Sequence, residues 1–245
     1  MNLSKISNKS VIGKLLRSSL RIIPSQTRMP ILQGKLQGKK WIVGSSQHGC
    51  WLGSYEYEKQ TLFTKTIHKG SVVFDLGAHV GFHSLLASVL VGSQGKVYAF
   101  EPMPKNLSYL KEHIKINKIK NIAVINAAVS DSCGTAYFQE NICSFQGHLA
   151  SVGNIKVKTV SLDEMISQGE IPNPNYIKID VEGAELQVLN GAKNLLATVK
   201  PTIFLATHGD EIQRQCRIFL ESIGYRLEAI NGKPLEVADE LIARY

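Results

Sequence analysis

The chain has 245 residues, the size of one domain able to bury roughly 70–75% of its unfolded surface. A hydrophobic content of 44% with 20% charged residues excludes a disordered or fibrous chain, and no apolar run is long enough for a membrane-spanning helix. The formal charge of +8 sits at one end: residues 1–70 hold 12 Lys and Arg against Glu56 and Glu58 alone, whereas residues 71–245 hold 16 against 18 acids. That asymmetry divides the chain into a basic N-terminal extension and cap, 1–70, and a near-neutral body, 71–245. The basic part suits an anionic partner, such as lipid headgroups, nucleic acid or an acidic glycan, or a solvated arm. The start lacks the apolar core and cleavage site of a secretory signal. Cys50, Cys133, Cys143 and Cys216 form neither a C-x-x-C pair nor a Cys/His zinc spacing, so reduced thiols in a cytoplasmic protein are expected.

Residues 10–23 place Ile12, Leu15, Leu16, Leu20 and Ile23 on one helical face and Lys14, Arg17 and Arg21 on another. Such a basic amphipathic helix lies on an anionic membrane surface or packs on its own domain. Residues 24–40 carry Pro24, Pro30, Gly34 and Gly38 and read as a loop-rich connection. Aromatics interleaved with small residues over 41–56 lead into a helix over 57–67. Trp51, Tyr55 and Glu56 are placed either as a lid over the site or in the packing of the cap.

From Gly70 onward strands alternate with helices. Strands are expected at 72–76, 97–100, 122–126, 176–180 and 202–206, and helices at 83–90, 104–117, 184–190 and 210–222. Residues 135–138 and 155–160 read as a β-hairpin pair, 162–167 as a short helix, and 225–230 and 236–243 as two closing strands. Buried five-residue apolar runs separated by helices predict an α/β fold: a mostly parallel, seven-stranded sheet with helices on both faces.

The most informative stretch is SVVFDLGAHVGF, residues 71–82, followed by KVYAFEP, residues 96–102. Two strands joined by a helix, each ending in an acid (Asp75 and Glu101), build a nucleoside pocket at the carboxyl edge of the sheet. Dinucleotide folds use G-x-G-x-x-G because a pyrophosphate must lie on bare backbone. Here the pattern is D-x-G-x-x-x-G, with His79 and Val80 between Gly77 and Gly81. That suits a ligand without phosphates, and the leading Asp suits positive charge. S-adenosylmethionine, with its ammonium and sulfonium, meets both conditions.

VFDLGAHVGFHSLL, VYAFEP, NAAVSD, VSLDE and YIKIDVEGAELQVLNGA occur in this order, and with them the chain resembles the FkbM-type methyltransferases, a branch of class I S-adenosylmethionine-dependent enzymes with a Rossmann-like fold. IDVEGAE, residues 179–185, is the most specific part. The resemblance implies O-methylation of a hydroxyl on a saccharide or secondary metabolite. It departs from the family at 205–209, where Leu205, Ala206 and Thr207 precede His208 without the acid expected there.

The expected donor site is Asp75 against the ammonium, Gly77 and Ala78 lining the amino-acid moiety, and Gly81 letting the next helix start close to the ligand. Glu101 accepts both ribose hydroxyls, Met103 packs on the adenine, and Ala128 lets the base lie against backbone. Asp180 and Glu182 end the fourth strand beside the sulfonium. With Glu185 and with His208, whose ordinary pKa permits proton uptake near neutrality, they are the candidates to take the acceptor's proton. The favoured reading of Glu185 is nonetheless a surface acid at a helix start, and His83 is read as a packing residue. The acids are of the kind that hold a hard cation, but the clear ligands are too few and no metal is expected. The competing readings are an RNA methyltransferase using the basic segment, a nicotinamide-dependent oxidoreductase and a membrane-associated module without catalysis.

Overall fold

The computed structural model describes residues 20, 22–140, 147–150 and 155–245. The helix expected over 10–23 therefore lies almost wholly outside the described residues; Leu20 and Ile23 pack against the core. From residue 22 onward the first elements are two short paired strands, β1 (Arg28–Pro30) and β2 (Lys40–Ile42), bracketing the expected loop, then helices α1 (His48–Leu52) and α2 (Tyr57–Thr66).

The alternating part follows as β3 (Val72–Leu76), α3 (Phe82–Val91), β4 (Lys96–Phe100), α4 (Pro104–Ile116) and β5 (Ile122–Ile125). Four strands and one helix interrupt it: β6 (Ala128–Val129), β7 (Gly134–Glu140), β8 (Gly147–Ala150), β9 (Ile155–Val160) and α5 (Leu162–Ser167). It resumes with β10 (Tyr176–Ile179), α6 (Glu185–Asn190), α7 (Lys193–Thr198), β11 (Thr202–Ala206) and α8 (Asp210–Ser222), and closes with β12 (Arg226–Ala229) and β13 (Glu240–Arg244).

Seven strands form one sheet in the order β12-β13-β11-β10-β3-β4-β5. The five from β5 to β11 are mutually parallel, while β13 runs antiparallel to both of its neighbours. The two-residue period of a strand sends Val73 to one core and Phe74 and Leu76 to the other. One face is covered by α6, α7 and α8 through Val188, Leu195 and Leu220. The other is covered by α3, a helix apolar on all sides because it is sandwiched, and by the N-terminal segment through Trp41, Trp51 and Phe63. Trp41 is wholly buried, stacked on His113 with ring centroids 3.9 Å apart. Pro104 at the start of α4 supplies a preset φ where no amide is needed.

The expected hairpin is more elaborate than its sequence reads. β7 and β9 do pair antiparallel, but β8 pairs with the other edge of β7, giving a separate four-stranded sheet, β6-β9-β7-β8. GHLA lacks the β-branched run that marks a strand, so β8 left no local signal. Among the described residues, no helix is long and apolar enough to cross a membrane.

Candidate active site

The carboxyl ends of β3, β4 and β10 frame a cavity of ≈ 450 Å³. Parallel strands joined by helices leave their turns at this edge, and the crevice between diverging turns is where such sheets bind ligands. Glu101, at the tip of β4, is 3% exposed and lines the cavity. Its Oε2 accepts the His79 amide at 2.8 Å, and its Oε1 accepts the Met103 amide at 2.8 Å. Burial pushes its pKa up to about 7 despite these donors and the Asn106 amide.

The turn after β3 is held from several sides. The Gly77 and Ala78 amides both donate to the Phe100 carbonyl, at 3.1 and 2.9 Å. Gly77 has a φ of +73°, and a Cβ there would lie 1.8 Å from the Asp180 carbonyl oxygen. His79 also adopts a left-handed backbone, φ 53°, a cost tolerated mainly where a site over-determines it. Gly77, Ala78, Glu101, Met103, Ala128 and Asp180 all line the cavity. Gly81 does not; the space it leaves is taken by Leu110, whose Cδ1 would be 2.5 Å from a Cβ. Its part is the packing of α4 rather than approach to a ligand.

Asp75 is likewise not in the cavity wall. It is 1% exposed, with Oδ1 3.0 Å from Lys178 Nζ and Oδ2 accepting the Ser84 hydroxyl at 2.6 Å. Lys178 sits directly opposite Asp75 in the β3–β10 register, which brings the pair together inside the sheet. The same ammonium donates to the Gly77 carbonyl at 2.8 Å and lies 3.6 Å from Asp180 Oδ2. The expectation that Asp75 meets a ligand ammonium, directly or through water, is corrected for direct contact: Asp75 is paired with Lys178, which braces the turn. Burial opposes the Lys178 charge, but Asp75 and Asp180 outweigh it and raise its pKa. Burial also opposes ionisation of Asp180, yet Lys178, Lys59 and His208 bring it down to about 2.

A second pocket of ≈ 520 Å³ adjoins the first, and Gln47, Tyr55, Asp180 and Glu182 line both. His208, on the turn after β11, faces this second pocket. Its Nδ1 is 2.8 Å from Glu185 Oε1, while its Nε2 lies 3.5 Å from Glu182 Oε2 and 3.7 Å from Asp180 Oδ1. The hydrogen bond to Glu185 raises the His208 pKa to about 9 against its burial, with Glu182 and Asp180 adding to the rise. Glu185, expected on the surface, is instead wholly buried and also accepts the Gly183 amide at 3.0 Å. It turns inward because α6 starts against α8 and the His208 turn. Glu182 itself has a φ of 55°.

The N-terminal segment closes the second pocket. Tyr55 packs between Phe82 and His83, at centroid distances of 5.3 and 5.9 Å. Burial pushes its phenol above the ordinary range. Lys59 is 3% exposed and ion-paired to Glu56 at 2.7 Å and Glu240 at 2.6 Å. Trp51 is core, with its indole N–H donated to His48 at 3.1 Å, so the cap divides between packing and lining. His83 packs as expected, and burial pushes it down to about 4. Lys178, Lys59 and Gln47 were not read as site residues. The lysine within the buried run YIKI was the signal for the first.

A family model described as the methyltransferase FkbM domain matches residues 75–235, well over half of the chain. The chain belongs to this family. The hexuronic acid methyltransferase AglP of Haloferax volcanii is 31% identical over 140 residues, 56% of this chain and 56% of AglP. The chain thus spans about half the length of the curated relatives it matches. The crystal structure of an FkbM methyltransferase from Methylobacillus flagellatus KT superposes with a TM-score of 0.54 at 19% identity, covering 71% of this chain and 43% of that one. A precorrin-6y C5,15-methyltransferase from Geobacter metallireducens GS-15 gives 0.51 at 19% identity, covering 78% and 87%. These two likenesses establish the class I methyltransferase fold.

The cofactor of this FkbM domain is S-adenosylmethionine, and the cavity fits it. The wall carries Glu101, Asp180 and Glu182, while its lysine, Lys178, is committed to Asp75 and the Gly77 carbonyl. Such a wall repels a pyrophosphate and accepts a cationic nucleoside. Gly77 leaves the strand-to-helix turn bare of side chain where it meets the end of β10.

Proposed function

We propose that the chain O-methylates a hydroxyl of a saccharide, with the first cavity holding the donor and the second the acceptor. When bound, S-adenosylmethionine supplies an activated methyl group. Glu101 accepts the ribose hydroxyls, and Met103 and Ala128 flank the base. Asp180 and Glu182 carry this reading, because they line both cavities and His208 stands directly behind them. An alcohol is a weak nucleophile whose proton must go to a nearby base. The three groups are close enough to titrate as a unit, so that proton belongs to the cluster rather than to one member.

AglP, by its name, acts on a hexuronic acid, which supports a sugar acceptor. The charge of the second pocket favours a neutral hydroxyl over a carboxylate. Glu56, Asp180, Glu182, Asp239 and Glu240 line it, and the only lysine lining it among the described residues, Lys59, already pairs with two of them. A carboxylate entering would meet net negative potential.

His208→Ala is expected to lower turnover roughly 10²–10⁴-fold while leaving S-adenosylhomocysteine affinity, measured by calorimetry, within about twofold (under about 0.5 kcal/mol). Screening neutral sugars against uronic acids with labelled donor tests the acceptor class. Transfer confined to carboxylates would remove the hydroxyl reading. Donor affinity should also depend on pH through Glu101. Its pKa of about 7 means that the carboxylate predominates above pH 7 and the neutral acid below it. Each unit below pH 7 should weaken donor binding close to tenfold. Glu101→Gln should flatten that dependence in the same titration.

A further inference from the structure

We propose that Asp180, Glu182 and His208 bind a divalent first-row cation, such as Mn²⁺, at the boundary between the two cavities. This rests on reading that boundary as the site of methyl transfer. One oxygen of each carboxylate and one ring nitrogen lie within 4.8 Å of one another. The separations from His208 Nε2, 3.5 Å to Glu182 and 3.7 Å to Asp180, are too long for good hydrogen bonds. They suit atoms that share an ion instead. With metal–ligand bonds of about 2.1 Å, they correspond to angles of roughly 110–125° at the metal. Two carboxylate oxygens and an imidazole nitrogen are a donor set for borderline divalent ions, for which Cys ligands are not required.

An independent feature lies behind the imidazole. Glu185 is wholly buried, directs Oε1 at His208 Nδ1 at 2.8 Å, and keeps Oε2 without a hydrogen-bond partner among the described residues. A buried carboxylate on the far nitrogen of a histidine fixes the tautomer that offers Nε2 as a ligand and strengthens that ligand. It also adds negative charge that a cation would offset. Of the neighbouring cations, Lys59 holds Glu56 and Glu240, and Lys178 holds Asp75 and the Gly77 carbonyl and reaches Asp180 only at 3.6 Å.

Three protein ligands leave coordination positions for the acceptor. A hydroxyl bound there would shed its proton to water more readily, as water does on catalytic metals. The ion would also neutralise part of the acidic wall that excludes carboxylates, and so orient vicinal sugar hydroxyls. The sequence shows too few ligands for this site because they lie 28 positions apart, from Asp180 to His208, on turns that only the β10–β11 pairing brings together.

The test is a Mn²⁺ titration of the full chain after chelator treatment and dialysis, read by calorimetry and by the loss of the free-ion electron paramagnetic resonance signal. One saturable site per chain is expected. His208→Ala and Glu182→Gln should each abolish it, and Glu185→Gln should weaken it roughly 10–100-fold. Glu101→Gln should leave Mn²⁺ binding intact while weakening S-adenosylhomocysteine. Glu182 is half-exposed, so its variant serves if the His208 substitution fails to fold. No saturable Mn²⁺ binding, or binding indifferent to both ligand substitutions, would overturn the proposal. Because the donor is measured separately, a chain that takes S-adenosylhomocysteine but no Mn²⁺ refutes the ion and keeps the transferase. One that takes Mn²⁺ but no donor does the reverse.

Discussion

Lys178→Met should destabilise the fold by about 3–5 kcal/mol, the usual cost of leaving one member of a buried ion pair without its partner. Lys178 and Asp75 are 4% and 1% exposed, 3.0 Å apart at the centre of the sheet. The substitution keeps the volume and removes the charge, leaving Asp75 with the Ser84 hydroxyl. It also takes away the donor to the Gly77 carbonyl, so the turn loosens as the sheet weakens. For a domain of this length the loss corresponds to a fall in Tm of roughly 6–20 °C. Adding Asp75→Asn should recover a large part of it, because the unpaired charge is then gone. Urea denaturation of the two single variants and the double variant measures the coupling. A Lys178→Met protein as stable as the parent would mean that the pair is not buried as described.

Gly77→Ala carries the second large effect, on the donor rather than on stability. A Cβ would lie 1.8 Å from the Asp180 carbonyl oxygen and 2.8 Å from its carbon. Both are backbone atoms at the end of β10 and cannot swing aside. The left-handed φ of +73° adds a backbone cost of roughly 1–2 kcal/mol. The turn must therefore move away from β10, carrying the floor of the donor cavity with it. S-adenosylhomocysteine affinity should fall about a hundredfold, or about 2.7 kcal/mol. Gly70→Ala is the control. It has a φ of +80° with nothing within 4 Å of a Cβ, so it should cost backbone strain alone and leave donor affinity unchanged. Calorimetry on both variants separates crowding from conformation.

The sheet was legible because its strands are short apolar runs, several of them ended by acids, and helices between parallel strands leave few alternative topologies. VVFDL, KVYAF and TIFLA identify themselves locally. The donor cavity was legible where a residue's position at a strand tip decides its exposure, as for Glu101 and Asp180. It was not legible for Asp75, whose sequence position resembles that of Glu101. What separates the two is their place in the sheet: Asp75 is paired in register with Lys178, whereas Glu101 lies one residue beyond the paired stretch of β4. Register is a long-range property that a strand's own residues do not state. Glu185 was misread for a similar reason. A helix-start acid points to solvent unless another element covers it, and the His208 turn arrives 23 residues later. The glycines at 77 and 81 share a motif but not a task, since one relieves a clash with β10 and the other a clash with α4.

Gln47, Tyr55, Asp180 and Glu182 stand in the common wall of the two cavities. Two of them come from the N-terminal segment and two from the turn after β10, so neither compartment keeps its shape without the other. If occupancy on one side alters affinity on the other, linkage requires the same factor in both directions. On the reading proposed above, demethylated donor left in the first cavity would then change how firmly the second holds its next acceptor.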